Sequence, residues 1–290
     1  MIRLATRASP LAMWQARHTA TLLRRAHAGL RVELVPVTSH GDLDLTTPLY
    51  AMGTVGVFCK EVHALVLSGR ADAGVHSCKD LPTTSPEGLA VAAVLQRADP
   101  RDVLVGVASL DVLAANAVIG SSSTRRRAQL AALRPDLRFA DLRGNVHTRL
   151  GKIARGEAAA TCMAIAGLRR LGLSTRHASA VLDPWTICTP APGQGAVAVD
   201  CRRDDNRTRR LLAAIGHHDT ATAIGIERSV LAGLAGGCSL PLGCLAQRVH
   251  GSWRLIARLG LEGGLRTVHL DGPAATLAER ALAQLLGAQA

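Results

Sequence analysis

Lysine is almost missing: only Lys60, Lys79 and Lys152 stand among 34 basic residues, so the formal charge of +12 rests on arginine. Aromatic residues are as scarce. The six present (Trp14, Tyr50, Phe58, Phe139, Trp185 and Trp253) offer no platform on which bases could stack, which argues against a single-stranded nucleic acid partner. The seven cysteines contain no CxxC pair and no His/Cys ladder at zinc spacing, which predicts reduced thiols in a cytoplasm and no structural metal. Arg, Asp or Gly breaks every apolar run short of the roughly 18 residues of a membrane span. Arg3 and Arg7 stand where a secretory signal would carry its apolar block. What these absences leave is a soluble chain of 290 residues, 48% hydrophobic. It is too apolar for intrinsic disorder and long enough for two or three compact units around a sizeable core.

The arginine excess has two sources to weigh. A GC-rich genome writes arginine and alanine codons without functional purpose. A guanidinium also binds carboxylate or phosphate through two parallel hydrogen bonds, which suits an anionic partner. With base stacking excluded, polyacidic small molecules come ahead of nucleic acid.

Periodicity orders the elements. Ile2 to Ala5 is strand-like, and Ser9-Pro10 supplies a cap and a first-turn proline for a helix closed by Gly29. Leu11, Trp14, His18 and Leu22 share one face of that helix, with Trp14 and His18 expected in the core. A strand over 32–37 follows. Phe58 to Leu67 reads as a helix, stopped by Gly69. Ala73 to His76 is a short buried strand running into Ser77-Cys-Lys-Asp-Leu-Pro82. The pattern returns with Val118-Ile119, then Ser121-Ser-Ser-Thr-Arg-Arg-Arg127 and a helix to Leu133. A strand from Phe139 to Leu142 follows, and then Arg143-Gly-Asn145, where Asn145 is placed to cap a helix. Alternating strands and helices define an α/β class. After Gly225-Ile226-Glu227-Arg228 a helix is expected to Gly236-Gly237. Three strands over 242–249, 253–259 and 265–270 then form an antiparallel meander, with a last helix over 276–286. This predicts a small α+β domain from about residue 218, and no internal repeat is visible.

In open α/β sheets ligands bind beyond the carboxyl ends of the strands, and four polar clusters fall there. They are Arg7 with Ser9; Ser77, Lys79 and Asp80; Ser123, Arg125 and Arg126; and Arg143 with Arg149. An arginine at a helix start is unfavourable beside the positive dipole end unless an anion joins it, so the clusters together suggest a cradle for several carboxylates. Asp80 is the one acidic residue of its loop. Cys238 follows two glycines in Leu234-Ala-Gly-Gly-Cys238, which allows its sulfur a close approach to a ligand.

Ala5-Thr-Arg-Ala-Ser-Pro-Leu-Ala12, Val75-His-Ser-Cys-Lys-Asp-Leu-Pro82, Asp99-Pro-Arg-Asp102, Leu142-Arg-Gly-Asn-Val146, Ala166-Gly-Leu168, Pro192-Gly-Gln-Gly-Ala196 and Gly236-Gly-Cys238 occur in this order. Together they resemble the hydroxymethylbilane synthases, also called porphobilinogen deaminases, over about residues 2–246. The resemblance implies two α/β domains of periplasmic-binding-protein type (1–95 with 196–213, and 96–195) and a C-terminal α+β domain, 218–290, with a three-stranded antiparallel sheet. It implies a transferase of tetrapyrrole (haem, porphyrin) synthesis that joins four porphobilinogens head to tail into hydroxymethylbilane, releasing four ammonia molecules and adding water. A covalent dipyrromethane cofactor on Cys238 would be held also by Lys79, Ser123, Arg125, Arg126, Arg143 and Gly144. Arg7, Ser9, Phe58, Ser77, Arg149 and Gln194 would contact substrate, and no metal is implied. Asp80 matches the family's catalytic aspartate, which would stabilise the cationic azafulvene left by ammonia loss and move its protons. The implied protein is a cytoplasmic monomer acting on a small molecule, with neither nucleic acid nor membrane as partner.

The chain departs from the family at Ala51 and Val55, where lysines are common, and at His40, where an arginine is common; its C-terminal domain is also short. Three rivals stand beside this reading. A binding module would hold an acidic small molecule on the same fold without chemistry, leaving Asp80 and Cys238 dispensable. A nucleic-acid binder would show steep salt dependence. A hydrolase using Cys238 with His217 or His218 would need those histidines.

Overall fold

β1 (Ile2–Arg7) opens the first sheet of the computed structural model, in which residues 1–38, 59–177, 179–234 and 240–287 are described. Ile2, Leu4, Ala5 and Thr6 are all buried, as expected for a strand covered on both faces. Ser9 caps α1 (Pro10–Ala26): its Oγ accepts from the Ala12 amide at 3.4 Å, while Pro10 fills the first turn, where an N–H would have no partner. The buried face of α1 is Ala12, Gln15, Ala16, Thr19, Ala20 and Leu23. Trp14 and His18 are only half-buried, which corrects their expected place in the core. The small residues let the helix lie close on the sheet, and the two rings stack on each other on its flank, centroids 5.0 Å apart.

The chain continues through β2 (Val32–Val37), α2 (Lys60–Leu67), β3 (Ala73–Ser77) and β4 (Leu89–Val94). It returns much later with β10 (Val197–Arg202) and α7 (Asn206–Ala213). The sheet order is β2-β1-β3-β10-β4. β1 is parallel to β2 and β3, while β10 is antiparallel to both β3 and β4. Ile2, Leu4, Leu23, Val75, Val199 and Leu212 fill this core.

The second sheet uses β5 (Asp102–Val105), β6 (Val118–Gly120), β7 (Arg138–Ala140), β8 (Ala160–Ala164) and β9 (Ala180–Val181). Helices α3 (Thr124–Leu133), α4 (Val146–Ala154), α5 (Ile165–Arg170) and α6 (Ser174–His177) connect them. Its order, β7-β6-β8-β5-β9, repeats the first sheet strand for strand. β6 is parallel to β7 and β8, and β5 is antiparallel to β8 and β9. In each sheet the strand between the third and the edge is the one that follows a crossing between units.

α8 (His218–Gly233), β11 (Leu242–Val249), β12 (Ser252–Leu261), β13 (Gly264–Gly272) and α9 (Ala274–Leu286) complete the chain. The three strands form the expected antiparallel meander, with Leu245 opposite Ile256 and Ile256 opposite His269. α8 starts at His218 and not after Arg228, because the His217 imidazole accepts from the Thr220 amide at 3.2 Å and caps the helix early. Gly225 therefore sits inside the helix, with open space where a side chain would be. Val230, Leu242, Leu255, Ala257, Leu277 and Leu285 form a separate core.

The chain groups into two compact units. The first holds the β1–β4 and β10 sheet and returns from residue 195 to 221, and the second holds residues 99–194 and everything from 222 onward. Within the second unit the meander approaches α3 closely: a Cβ on Gly260 would stand 2.8 Å from that of Ala128. Both domain classes of the sequence reading, α/β and a three-stranded α+β element, are present.

Candidate active site

β1 and β3 are parallel neighbours, with Leu4 opposite Ala73 and Ala5 opposite Gly74, so their carboxyl ends share one edge of the first sheet. Arg7 and Ser9 follow one strand there, and Ser77 to Asp80 follow the other. Beyond β3 the chain turns through a single 3-10 turn, Cys78–Asp80, closed by the Leu81 amide on the Cys78 carbonyl. Three contacts fix this turn. The Cys78 amide donates to the Ala196 carbonyl at 3.0 Å, the buried Gln15 amide donates to Ser77 Oγ at 2.8 Å, and Cys59 Sγ donates to the Asp80 carbonyl at 3.4 Å. Asp80 and Lys79 are half-buried, and the Asp80 carboxylate takes no hydrogen bond or ion pair from the described residues. A held backbone with an uncommitted carboxylate is the arrangement a proton-transfer group needs.

Behind this turn lies a buried cluster that the sequence reading missed. His63 Nε2 (α2) and His76 Nε2 (β3) stand 2.9 and 3.2 Å from Asp200 Oδ2 (β10). Burial alone would lower the His76 pKa; the Asp200 carboxylate outweighs it and raises the group to about 10. Burial would likewise raise Asp200, and His76 and His63 outweigh it and hold the carboxyl well below its usual range.

In the second unit the ends of β6 and β7 lead to 121–126 and 143–149. Ser123 caps α3, accepting from the Arg126 amide at 3.4 Å, and Asn145 caps α4, accepting from the Thr148 amide at 3.0 Å. Gly144 sits at φ +113°, and a Cβ there would meet Thr148 Cγ2 at 2.6 Å, so only glycine fits this approach to α4. Arg125 and Arg126 turn inward. Arg125 Nη1 donates to Asp102 Oδ2 at 2.7 Å and to the Thr189 carbonyl at 2.7 Å, and Arg126 Nη2 donates to Asp102 Oδ1 at 2.7 Å. Gln194 Nε2 also donates to Asp102, at 2.9 Å, and reaches the Pro100 carbonyl at 2.7 Å. Burial alone would raise Asp102; the two guanidiniums outweigh it and hold the carboxyl well below its usual range.

Arg143 and Arg149 are half-buried. Burial first, and Arg126 next, push the Arg149 pKa down to about 10, and its Nε–H finds no acceptor among the described residues. Neither α3 nor α4 carries an acidic residue in its first turn. Among the described residues, Asp102 is the carboxylate that acts on the Arg125, Arg126 and Arg149 guanidiniums. The surplus positive charge is set for an anion from outside.

The structure therefore brings Arg7, Ser9, Ser77, Lys79 and Asp80 to one sheet edge. It brings Ser123, Arg125, Arg126, Arg143, Gly144 and Arg149 to another, with Gln194 joined to them through Asp102. Phe58, Cys238, His40, Ala51 and Val55 lie outside the described residues. Asp102 was missed although Asp99-Pro-Arg-Asp102 was noticed; the legible signal was an acidic residue opening the apolar strand Asp102-Val-Leu-Val105. Glu227, fully buried, accepts from the Gly193 amide at 2.7 Å and the Ala246 amide at 2.9 Å, and so ties the Pro192–Ala196 segment to the meander.

By topology this is an α/β protein of two five-stranded mixed sheets and a three-stranded antiparallel one, whose polar clusters lie at the carboxyl ends of parallel strands. The family model described as porphobilinogen deaminase, dipyromethane cofactor binding domain, matches residues 2–210, and the chain belongs to that family, one of tetrapyrrole synthesis. Among solved structures it is similar to a periplasmic substrate-binding protein of an ABC transporter from Coxiella burnetii. The identity is 16% and the TM-score 0.45, over 74% of this chain and 92% of that one. It is also similar to a pheromone cOB1 precursor lipoprotein from Enterococcus faecalis, at 14% identity and a TM-score of 0.46, over 73% and 89%. In the described residues no helix is long and apolar enough to cross a membrane.

Proposed function

We propose that this protein is a hydroxymethylbilane synthase, which condenses four porphobilinogens head to tail, releases four ammonia molecules and adds one water. The observation that carries the reading is Asp80: a half-buried carboxylate with no partner among the described residues, on a turn fixed by Gln15, Cys59 and Ala196. Ammonia leaves the substrate aminomethyl group only after taking a proton, and the carbon left behind is cationic. Asp80 is the group to deliver that proton, to stabilise the cation, and to accept the pyrrole proton once the new carbon–carbon bond has formed.

The residues also fit the dipyrromethane that the family implies. Its acetate and propionate carboxylates need cationic donors, and the second unit supplies the Arg149 Nε–H, which has no acceptor among the described residues, and two helix starts without acidic residues. Arg143 and Arg149 make the direct contacts in this reading, with Ser123 and Gly144. Arg125 and Arg126, almost wholly buried on Asp102, contribute field, and Gln194 acts by orienting Asp102. Arg7, Ser9 and Ser77 receive the substrate carboxylates. When bound through Cys238, the dipyrromethane supplies the pyrrole carbon for the first bond and stays attached through elongation.

Intact mass of the purified chain beside a Cys238→Ser variant tests this. The expected result is an added mass of two porphobilinogens less two ammonias on the wild type alone. A wild-type mass that stays unmodified after incubation with porphobilinogen would overturn it and leave a binding module for an acidic small molecule.

A further inference from the structure

Cys59, His63, His76 and Asp200 come from four separate places: the residue before α2, one turn along α2, β3 and β10. Cys59 and His63 are spaced i, i+4 and share a helix face. β3 and β10 are paired neighbours with Asp200 opposite Gly74, which sets His76 and Asp200 diagonally on the face that α2 covers. Gly74 makes the room. A Cβ there would stand 2.5 Å from Asp200 Oδ1, 2.7 Å from His76 Nε2 and 2.9 Å from Val62 Cγ1.

The donor atoms of Cys59, His63 and His76 all lie within 4.8 Å of one another, and all three residues are buried. Asp200 Oδ2 is 2.9 and 3.2 Å from the two ring nitrogens. Bonds of about 2.0–2.3 Å around a tetrahedral zinc place neighbouring ligand atoms roughly 3.3–3.8 Å apart, so small movements bring the Cys59, His63 and His76 donors to that spacing, with Asp200 Oδ2 beside both imidazoles. Their present contacts are poor ones. Although the two Nε2 atoms lie at ion-pair distance from Asp200 Oδ2, His63 Nε2, His76 Nε2 and Asp200 Oδ1 meet no partner in hydrogen-bond geometry among the described residues, and each is buried. Polar atoms that crowd together without bonding directionally are satisfied at once by a cation placed among them.

We propose that these four residues form a binding site for a thiophilic divalent cation, with Zn2+ the best match. Once the metal has displaced the thiol and imidazolium protons, one thiolate, one carboxylate and two neutral imidazoles carry two negative charges, which balance a dication in a dry interior. The sulfur and nitrogen donors select Zn2+ or Co2+ over Mg2+ or Ca2+. The site reaches the Asp80 turn directly, since Cys59 Sγ donates to the Asp80 carbonyl at 3.4 Å and a metal-bound thiolate has no proton to donate. Occupancy therefore releases one of the three contacts that fix the turn. The sequence spacing hid this set, because its members are spread from residue 59 to residue 200.

Co2+ added to the reduced full-length protein reads the site optically. The expected result is one equivalent bound, with a thiolate-to-cobalt charge-transfer band and d–d bands of tetrahedral strength, displaced by Zn2+. Cys59→Ser should lose the charge-transfer band, His63→Gln should weaken binding by about tenfold or more, and Cys238→Ser should keep both signals. Absence of these bands in the wild type overturns the proposal without any variant. So does a band that survives in folded Cys59→Ser or disappears in Cys238→Ser.

Discussion

Arg126 holds Asp102 through two donors, Nη2 at 2.7 Å and Nε at 3.2 Å on the same carboxylate oxygen. Because Arg125 takes the other oxygen, the first turn of α3 is pinned to the start of β5 by one buried anion. Removing that anion leaves two buried cations facing each other. Asp102→Asn should cost about 3–5 kcal/mol, the range for breaking a buried ion pair. The denaturant midpoint of the variant, with an unchanged slope, measures it; a loss under about 1 kcal/mol would show that the arginines find other partners.

The same carboxylate sets an acid limit. Its pKa is lowered on folding, so its contribution is complete above the unfolded value near 3.8 and disappears as pH falls toward the lower folded value. Stability should therefore fall steeply below about pH 4, and Asp102→Asn should flatten that branch. Thermal unfolding of both proteins between pH 3 and pH 6 compares the slopes; parallel curves would remove Asp102 as the cause.

Asp80→Ala should fold normally, because no described residue bonds to its carboxylate. Ammonia release from porphobilinogen should drop by two orders of magnitude or more, in line with the loss of a general acid–base group. Near-normal turnover would take Asp80 out of its role.

Arg143→Ala and Arg125→Ala should separate. Arg143 is half-buried, and its loss should cost less stability than that of the almost wholly buried Arg125 while stalling particular elongation intermediates. Arg125 anchors Asp102, Thr189 and α3, so its loss should destabilise the fold as well. Native mass spectrometry of stalled intermediates, alongside unfolding midpoints, distinguishes the two; unchanged intermediates in both would sink the carboxylate cradle.

Much of this site is local and was legible for that reason. Ser9-Pro10, Ser123 and Asn145 are caps, and a cap is written in a few adjacent residues. Asp80 and the arginines stood out because charged residues at strand ends and helix starts need a purpose. The buried face of α1 was misassigned because alanines carry little periodic signal beside Trp14 and His18. Asp102, Glu227 and Asp200 were missed for a different reason: each finds partners tens of residues away, at Arg126, Gly193 and His76. Only the tertiary fold brings such groups together. The shared order of the two sheets was equally hidden, since it is a repeat of topology and not of residues.

That shared order also fixes a schedule for the nascent chain. Every strand of the second sheet lies within 102–181, whereas the first sheet places β10 between β3 and β4, pairing Val75 with Val199. Such a pairing closes a long loop, which is slow and costly in chain entropy. As the ribosome delivers the chain, the sheet begun first must wait, with its β3 and β4 edges unmet, until residues 197–202 emerge. The second sheet already has all its strands by then. The first sheet is thus started first and completed only after the second, and its exposed edges are the ones that need protection while translation runs.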